Sequence, residues 1–538
     1  MACKGGFMEF ILADGKRIVT ESGIEILLKG FGLGGWLLPE GYMWKFYNDC
    51  DRPRKMEQLI KDQCKEEYSE YFWKRYLENY ITCKDIELIR EWGFNSVRLP
   101  MNSRKLFETL GEEVLVIESE IKRIDELISW CENNNIYVIL DMHGAPGGQT
   151  GANIDDCRMD KPELFMDEIN QMHLIKMWKF LANRYSHKSC IAGYDLLNEP
   201  LPNWFSEYND LVYPLYLKII KSIREVDKKH MIILEGVHWD TDFSIFEPMK
   251  KEIPDNNIML QFHKYWNCPD RESIKHFIRW RDELNIPLFM GEGGENNIDW
   301  YVGMFSMLRK ENISYSFWSY KKMDNINSPI TFPKPKDWDK MLDCVKGNTK
   351  LEENEAIAIW NDFLKAISDF SLNESVIQAI ESFVPVTIPA EYFTYGKGMN
   401  KMNGARVRVE SELNILFRED KNRCDEPDYR GHGGLVQPDS EKLLILLEDG
   451  DEVGYEFNGR KEQRIRISVC GRKFLNQNLK SSFLLDLKCN NVAINFSEIE
   501  ATNEFIIIET EISKIGTYVF KLKAKGEIEL YEIQVTYI

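Results

Sequence analysis

The stretch Ile191-Ala192-Gly193-Tyr194-Asp195-Leu196-Leu197-Asn198-Glu199-Pro200 is a short, mostly apolar run that ends in a polar turn. Runs of this kind are typical of strands that are buried in a parallel sheet. Similar runs recur through the first two thirds of the chain. The predicted strands are Ile26–Leu33, Ser96–Leu99, Tyr137–Asp141, Ile191–Leu197, Met231–Glu235, Ile258–Phe262, Pro287–Met290 and Ser314–Trp318.

Helix-like segments lie between most of these predicted strands. They are Tyr71–Trp92, Glu118–Asn133, Leu164–Tyr185, Tyr213–Lys228 and Arg271–Leu284. Alternation of strand and helix predicts parallel strands with crossover helices, so the fold class is α/β. Eight such units favour a closed (β/α)8 barrel, the TIM-barrel architecture.

A doubly wound open sheet is the main alternative to the barrel. Gly30-Phe31-Gly32-Leu33-Gly34-Gly35 superficially resembles a dinucleotide-binding loop. That loop would lead into a helix. Here it runs into Trp36-Leu37-Leu38-Pro39, which does not start a helix, and this disfavours the open sheet.

The character of the chain changes after its last tryptophan. All 14 Trp residues stand at or before Trp360. Val384-Pro385-Val386-Thr387-Ile388-Pro389 reads as a linker, because proline interrupts both helices and central strands. We therefore predict a catalytic barrel at 1–384, a linker at 385–389 and a C-terminal β-sandwich, jelly-roll-like accessory domain at 390–538. Its predicted strands are Arg464–Val469, Phe483–Leu487, Phe505–Ile508, Thr517–Leu522 and Ile528–Thr536.

Composition excludes several kinds of partner. The 538 residues carry a net charge of −19, whereas binding to nucleic acid requires clustered Lys and Arg. No run of about 20 apolar residues predicts a membrane span. The first residues, Met1-Ala2-Cys3-Lys4-Gly5-Gly6-Phe7, do not resemble a signal peptide. We expect a cytoplasmic protein, or a secreted one whose leader was removed, and the oligomeric state stays open.

Polar and aromatic residues follow the predicted strands, where a parallel barrel places its active site. These strand-end stretches are Val97-Arg98-Leu99-Pro100, Asp141-Met142-His143-Gly144, Leu197-Asn198-Glu199-Pro200, Gln261-Phe262-His263-Lys264-Tyr265-Trp266, Gly291-Glu292-Gly293-Gly294 and Phe317-Trp318-Ser319-Tyr320. Their convergence on one rim is the main indication of an active site.

Two glutamates in this set match the needs of glycoside cleavage. One carboxyl group must be neutral to protonate the leaving oxygen, and the other must be ionised to attack the anomeric carbon. Glu199 and Glu292 close the fourth and seventh strands and would lie across the barrel mouth. A separation of ~5–5.5 Å between the two groups gives retention of stereochemistry. We predict Glu199 as the acid/base and Glu292 as the nucleophile.

Neighbouring residues have plausible supporting roles. Arg98 can pair with the nucleophile and keep its pKa low. Asn198 can bond a sugar 2-OH, Tyr265 can hold Glu292, and His143 and His263 can bond sugar hydroxyls or tune the acid. Aromatic side chains can carry sugar rings: Trp318 is the predicted floor, and further candidate platforms are Trp36, Trp44, Trp239 and Trp266. No His, Cys or Asp cluster has metal-ligand spacing, so we expect no metal and no cofactor.

The first ~380 residues resemble glycoside hydrolase family 5. The matching pieces are Gly30-Phe31-Gly32-Leu33-Gly34-Gly35-Trp36-Leu37, Asn95-Ser96-Val97-Arg98-Leu99-Pro100, His143-Gly144, Leu197-Asn198-Glu199-Pro200, His263-Lys264-Tyr265, Gly291-Glu292 and Phe317-Trp318. The resemblance implies a retaining β-glycosidase on a barrel. It gives the family's active-site places to Arg98, His143, Asn198, Glu199, His263, Tyr265, Glu292 and Trp318.

The substrate is less closely defined. The loop His143-Gly144-Ala145-Pro146-Gly147-Gly148-Gln149-Thr150-Gly151 resembles that of exo-β-1,3-glucanases in this family, which itself also includes cellulases, mannanases and glycolipid-cleaving enzymes. We expect a β-linked glucan or gluco-oligosaccharide. A β-mannanase or β-mannosidase is the alternative, and a non-catalytic sugar-binding protein is the rival from another class.

The C-terminal stretch resembles carbohydrate-binding module family 6, although less closely. The resemblance lies in Ile388-Pro389-Ala390-Glu391-Tyr392-Phe393, Glu448-Asp449-Gly450-Asp451-Glu452-Val453-Gly454-Tyr455 and Gly516-Thr517-Tyr518-Val519-Phe520. The family's ligand Asn near the last strand has no counterpart in Gly526-Glu527-Ile528-Glu529-Leu530. Any sugar platform in this domain would be a Tyr or Phe, such as Tyr392, Tyr395, Tyr429 or Tyr455, and a domain without a sugar site is an equal expectation.

Overall fold

A computed structural model describes residues 8–46, 50–398, 404–430, 433–473, 482–490, 492–500, 505–510 and 514–538. The chain forms two compact units. The first consists of Met1–Lys264, His276–Gly294 and Ile313–Leu372, and the second of Tyr265–Lys275, Glu295–Asn312 and Asn373–Ile538. Within the described residues, none of the helices has both the length and the apolar composition that a membrane span requires.

The first unit is built around a closed barrel of eight parallel strands. They are β1 (Lys29–Gly32), β2 (Ser96–Asn102), β3 (Tyr137–Gly144), β4 (Ile191–Asp195), β5 (Met231–Glu235), β6 (Ile258–Lys264), β7 (Leu288–Gly294) and β8 (Ser314–Trp318). Neighbours in sequence are neighbours in the barrel, and β8 pairs with β1 to close it. The predicted α/β barrel is confirmed.

Each barrel strand coincides with a predicted one. Four of them, β2, β3, β6 and β7, run two to four residues beyond the predicted carboxyl ends at Leu99, Asp141, Phe262 and Met290. Most of the extra residues are polar or glycine, so an apolar pattern alone ends the strands too early. Parallel pairing carries these residues, with His143, His263 and Glu292 among them, to the rim of the barrel.

The helices of eight or more residues are α1 (Pro53–Asn79), α2 (Cys83–Glu91), α3 (Glu118–Asn134), α4 (Glu168–Tyr185), α5 (Asn209–Arg224), α6 (Lys275–Leu284), α7 (Ile298–Lys310), α8 (Trp338–Val345), α9 (Glu353–Ser368) and α10 (Glu374–Glu381). The single predicted helix Tyr71–Trp92 is wrong, because two helices occupy this stretch. Thr82 starts the second one with a capping box, in which Thr82 and Asp85 each bond the other's backbone N–H.

A small antiparallel sheet precedes the barrel and covers part of its core. Its strands are Ile11–Asp14, Arg17–Thr20 and Glu25–Ile26. Ile11 and Ile18 belong to the same buried cluster as Tyr137, Ile139 and Met231 from the starts of β3 and β5. These contacts are at the amino ends of the strands, so they leave the carboxyl rim open for the site.

The second unit contains two antiparallel sheets. Its strands are β9 (Val386–Pro389), β10 (Tyr395–Lys397), β11 (Asn414–Phe417), β12 (Leu443–Leu447), β13 (Glu452–Gly459), β14 (Ile465–Lys473), β15 (Ser482–Cys489), β16 (Val492–Glu500), β17 (Phe505–Thr510), β18 (Gly516–Lys525) and β19 (Ile528–Tyr537). One sheet has the order β11-β12-β19-β14-β17, and the other has the order β10-β13-β18-β15-β16. Helices α7 and α10 belong to this unit as well.

The predicted linker at 385–389 requires a correction. Val386–Pro389 is strand β9, which pairs with β19 from Val386 opposite Val535 to Pro389 opposite Glu532. A proline at the end of an edge strand removes few backbone hydrogen bonds to the neighbouring strand. The two prolines that predict a linker are therefore compatible with this strand. The units also interleave along the chain, whereas the predicted division had a single boundary.

Candidate active site

Arg98 is the centre of the polar site at the carboxyl ends of the barrel strands. Its side chain is fully buried and extends from β2 toward carboxyl groups of four other strands. Nη1 lies 2.7 Å from Glu292 Oε1, and Nε lies 2.9 Å from Asp195 Oδ2. Nη2 lies 3.0 Å from Glu235 Oε1 and 3.2 Å from Asp141 Oδ2. The predicted ion pair between Arg98 and Glu292 is therefore present.

The carboxyl groups around Arg98 outnumber its positive charge. Burial raises the pKa of Asp141 to about 7 and that of Asp195 to about 6, although the Arg98 guanidinium opposes both shifts. Burial and the neighbouring Asp195 raise the pKa of Glu235 well above its ordinary value. Some of these groups therefore keep their protons near neutral pH, which limits the repulsion among them.

Glu199 follows β4 and is held at both its backbone and its side chain. Its φ of 42° lies in the left-handed region, which glutamate rarely adopts. Its backbone N–H donates to Glu235 Oε2 at 2.5 Å, and its Oε1 lies 2.7 Å from His263 Nδ1. Burial raises the pKa of Glu199 to about 7, even though electrostatic interactions with His143 and Arg98 oppose the shift. Such a carboxyl group can act as an acid near neutral pH.

The hydrogen bonds of His263 indicate which of its ring nitrogens carries the proton. Gln261 Nε2 donates to His263 Nε2 at 3.1 Å, so the imidazole proton stands on Nδ1 and is donated to Glu199 Oε1. Burial lowers the pKa of His263 to about 3, which keeps the ring neutral. Since Oε1 of Glu199 accepts this bond, the transferable proton of the protonated acid resides on Oε2.

Glu292 lies close to Glu199. One carboxylate oxygen of Glu199, one of Glu292 and a ring nitrogen of His263 all lie within 4.8 Å of one another. Glu292 Oε2 is 3.7 Å from His263 Nδ1. The side chain of Glu292 is 5% exposed and that of Glu199 is 12% exposed, so both are nearly enclosed yet reachable.

His143 and Trp318 form a second part of the site. Their rings stack in parallel, with centroids 5.5 Å apart and an interplanar angle of 7°. His143 Nδ1 is 2.8 Å from Asp141 Oδ2, and burial lowers the pKa of His143 to about 4. The Trp318 indole N–H donates to the Tyr42 hydroxyl at 3.0 Å. The neutral imidazole and the indole thus have fixed orientations beside Glu292, which lies 4.0 Å from His143 Nδ1.

Asn198 joins the two parts of the site. Its Oδ1 accepts from Arg98 Nη2 at 2.7 Å, and its Nδ2 lies 3.5 Å from His143 Nε2. Tyr265 belongs to the second unit, where Asn296 Nδ2 donates to its carbonyl at 2.8 Å. The role of Tyr265 beside the nucleophile stays a prediction.

The predicted aromatic platforms divide into two groups. Trp36 and Trp44 are 1% and 0% exposed, so the prediction that they carry sugar rings is wrong. Trp44 packs in an aromatic cluster whose members include Trp73 and Phe363, with centroids 5.8 and 4.5 Å away. Trp239 is half-buried in the first unit, and the exposed Trp266 belongs to the second. A tryptophan that is close in sequence to the rim residues can therefore be either a core residue or a surface residue.

The tyrosines considered in the C-terminal domain are mostly buried. Tyr392, Tyr429 and Tyr455 are 4% exposed or less, so they cannot carry a sugar ring. Tyr395 is half-buried, and the Lys521 ammonium lies 4.4 Å from its ring centroid. Sugar binding by this domain stays a prediction.

The sequence analysis assigned no role to four polar residues that hold the site together, namely Asp141, Asp195, Glu235 and Gln261. Each directly follows a run of mostly apolar strand residues and is fully buried. A charged or amide side chain inside a buried strand needs a specific partner, since its desolvation is costly. The sequence carries this signal at Glu235. This residue is a glutamate at the end of the apolar strand β5, and Glu199 likewise follows β4.

Two clusters among the described residues could hold a metal ion. They are Glu199, His263 and Glu292, and Glu235, Asp240 and His263. Each cluster combines residues from different parts of the barrel rim, so no sequence spacing reveals them. The expectation that the reaction needs no metal stays a prediction.

The barrel and the paired glutamates at its carboxyl rim are the features of a β/α-barrel glycosidase. Residues 61–324 match the family model "Cellulase (glycosyl hydrolase family 5)". This part of the chain is similar to glycosyl hydrolase family 5, and the protein is a glycoside hydrolase.

Similar proteins include two curated relatives. A beta-xylosidase of Phanerodontia chrysosporium is 27% identical over 346 residues, which are 58% of this chain and 71% of the relative. Endoglucanase C of Acetivibrio thermocellus is 27% identical over 315 residues, which are 47% of this chain and 88% of the relative. A solved structure described as an endogalactoceramidase covers 99% of this chain and 100% of its own, with 15% identity and a TM-score of 0.49.

The raised pKa of Glu199 predicts the pH dependence of activity. An acid with a pKa of about 7 is protonated below that pH and loses its proton above it. We expect kcat/KM on a β-glycoside with a poor leaving group to fall about tenfold per pH unit above pH 7. A 2,4-dinitrophenyl glycoside, whose leaving group needs no proton, is the control and should show no such fall. Equal profiles for the two substrates would contradict the assignment of Glu199 as the acid.

The contacts of Glu235 predict a positioning role. Glu235→Ala removes the acceptor of the Glu199 N–H and one partner of Arg98. Hydrogen bonds to charged groups contribute about 1.5–3 kcal/mol, so we expect kcat to fall at least tenfold with KM nearly unchanged. Glu235→Gln keeps an acceptor oxygen and should recover part of the loss. Exposed Glu247 provides the control variant Glu247→Ala. Wild-type kcat in Glu235→Ala would contradict this role.

Proposed function

We propose that this protein is a retaining β-glycosidase that hydrolyses β-linked glucan or gluco-oligosaccharides by double displacement. The observation that carries the proposal is the pair of carboxyl groups of Glu199 and Glu292, whose nearest ligand oxygens lie within 4.8 Å. Retaining enzymes need ~5–5.5 Å between these groups, whereas inverting enzymes leave ~6.5–9.5 Å for a water molecule. The short separation supports retention.

In the first step, a carboxylate oxygen of Glu292 attacks the anomeric carbon. The bond from that carbon to the leaving oxygen breaks, and Glu199 transfers its Oε2 proton to this oxygen. The products are a glycosyl ester on Glu292 and a free alcohol or sugar. In the second step, the Glu199 carboxylate takes a proton from water, which attacks the anomeric carbon. The ester bond breaks, Glu292 is released and Glu199 is protonated again.

The surrounding groups suit both steps. Arg98 lies 2.7 Å from Glu292 and stabilises the ionised carboxylate that attacks and later departs. His263 is neutral and donates to Glu199, which favours the carboxylate form once the proton has left. Asn198 is fixed at its oxygen by Arg98, which leaves its amide N–H groups for a sugar 2-OH. Such a bond strengthens in the transition state.

The preference for a glucan rests on the loop from His143 to Gly151. Asp155 Oδ2 accepts bonds from the backbone N–H of Thr150 at 2.6 Å and of Gly151 at 3.1 Å. Gln149 donates to the carbonyls of His143 and Asn198, which ties the loop to β3 and to the acid. A rigid loop of this kind can select among sugar stereoisomers. The name of the related endoglucanase also supports a glucan substrate.

Product analysis tests both the substrate and the stereochemistry. We expect the wild type to cleave laminari- or cello-oligosaccharides, and proton NMR should show the β-anomer as the first new reducing end. Glu292→Gln should lose at least about a thousandfold in kcat, because an amide cannot form the ester. Glu247→Ala is again the matched control and should keep the wild-type rate.

Three results would contradict the proposal in different ways. Release of the α-anomer first would exclude retention. Cleavage of manno-oligosaccharides with no action on any β-glucan would contradict the proposed glucan substrate and favour a β-mannanase or β-mannosidase. A Glu292→Gln variant with the wild-type rate would refute the nucleophile.

A further inference from the structure

We propose that Glu235, Asp240 and His263 form a binding site for one divalent cation of the zinc class, and that the bound cation inhibits the enzyme. One carboxylate oxygen of each acidic residue and a ring nitrogen of the histidine lie within 4.8 Å of one another. All three residues are at most 2% exposed. The inhibitory effect rests on the proposed function, whereas the binding of the cation does not.

The spacing of the three ligand atoms suits one ion. His263 Nε2 lies 3.7 Å from Glu235 Oε1 and 3.8 Å from Asp240 Oδ2. Zinc binds imidazole nitrogen and carboxylate oxygen at ~2.0–2.2 Å, so two ligands of one zinc ion are about 3–4 Å apart. Calcium and magnesium prefer sets of oxygen ligands. The nitrogen donor therefore favours zinc or a similar transition metal.

Asp240 shows that this cluster lacks a partner. Its Oδ1 accepts from the Gly236 N–H at 2.6 Å, but its Oδ2 has no hydrogen-bond partner within the part of the chain that the structure describes. A buried carboxyl oxygen without a partner is costly. The distance of 3.8 Å from this oxygen to His263 Nε2 is too long for a hydrogen bond. A cation between the two atoms would supply the missing partner.

Gln261 offers a fourth ligand. Its Nε2 lies 3.1 Å from His263 Nε2, and its buried Oε1 also has no hydrogen-bond partner among the described residues. The two ends of a side-chain amide have nearly the same size and shape. A half-turn of the amide would therefore bring Oε1 to the position beside His263 and Glu235. Four ligands complete the coordination that is typical of zinc in proteins.

The other ring nitrogen of His263 already has the contact that a metal-bound histidine needs. Such a histidine usually donates its second N–H to a carboxylate or a carbonyl. His263 Nδ1 lies 2.7 Å from Glu199 Oε1, so the ring presents the lone pair of Nε2 to the cluster. The alternative cluster of Glu199, His263 and Glu292 would have to use Nδ1, which faces both glutamates. Because that nitrogen carries the proton, the alternative cluster is the weaker candidate.

The charge around the cluster also favours a cation. Arg98 contributes one positive charge to this part of the barrel. The buried carboxyl groups whose charges interact with it are those of Asp141, Asp195, Glu235, Asp240 and Glu292. Protons or a further cation must compensate the excess of acidic groups. A divalent ion would compensate two negative charges at once.

A cation at this place would act on Glu199 through His263. A metal ion on Nε2 withdraws electron density from the ring and makes the Nδ1 N–H a stronger donor to Glu199 Oε1. A stronger hydrogen bond favours the ionised form of Glu199. This form has no proton for the leaving oxygen. The bound cation should therefore slow the cleavage of substrates whose leaving group needs a proton.

Zinc chloride is the probe for binding, added to the full chain after treatment with a chelator. Calorimetry should show one more zinc site in the wild type than in Asp240→Asn. This variant keeps the Oδ1 acceptor for Gly236 but replaces Oδ2 by an amide nitrogen. Asp242→Asn, on the same loop and with a 38% exposed side chain, is the matched control and should bind zinc as the wild type does. The difference between the proteins excludes zinc that is bound by free cysteines elsewhere.

The activity measurement uses two β-glycosides that have the same glycone. Zinc should lower kcat/KM of the wild type at least about tenfold on the substrate with a poor leaving group. The 2,4-dinitrophenyl glycoside, whose leaving group needs no proton, should be affected much less. In Asp240→Asn, zinc should change neither rate from that variant's own rate without zinc.

Equal zinc binding by the wild type and Asp240→Asn would overturn the inference. Binding that is lost in Glu292→Gln but kept in Asp240→Asn would place the cation between the catalytic glutamates and would also overturn it. Equal inhibition of the two substrates would contradict the effect through Glu199.

A second measurement covers the case in which Asp240→Asn does not fold. Anomalous diffraction at the zinc edge from wild-type crystals should give a peak between Glu235, Asp240 and His263, and no peak there would refute the site. Failure of the proposed function looks different. The wild type would then turn over neither glycoside in the absence of zinc, whereas calorimetry and diffraction would still report on the cation.

Discussion

The site depends on one electrostatic constraint, which is the burial of Arg98 among carboxyl groups from β3, β4, β5 and β7. A buried guanidinium is tolerated only where oxygen atoms surround it. The barrel supplies those oxygens because parallel strands bring their carboxyl ends to one rim. In return, Arg98 fixes Glu292 directly and Glu199 through the carboxyl group of Glu235. A single charge thus positions the two glutamates that we propose to react.

The same constraint gives the two glutamates different surroundings. Glu292 contacts the guanidinium, whereas Glu199 contacts the neutral His263. Burial raises the pKa of Glu199 to about 7, so the acid keeps a proton that it can transfer near neutral pH. Two chemically identical side chains thus lie in different surroundings, as the proposed cleavage by paired carboxyl groups requires.

The sequence predicted the barrel well because its strands are short apolar runs with polar ends. It predicted the Arg98–Glu292 pair for the same reason, since both residues are polar groups at strand ends. It failed where tertiary contacts decide. Proline is compatible with both linkers and edge strands, so the sequence predicts a linker where the structure has β9. Trp44 and Trp204 have the same residue type near the same rim, and only packing makes the first a core residue and the second a surface one.

Trapping of the covalent intermediate tests the central claim most directly. A 2-deoxy-2-fluoro-β-glycosyl fluoride reacts with the nucleophile of a retaining enzyme, and the fluorine at C2 slows hydrolysis of the resulting ester. Mass spectrometry of the intact chain and of its proteolytic peptides then locates the sugar. The account predicts one sugar per chain, bound to the carboxylate of Glu292. A sugar on Glu235 or another carboxyl group, or turnover of the parent substrate with no label under any condition, would contradict it.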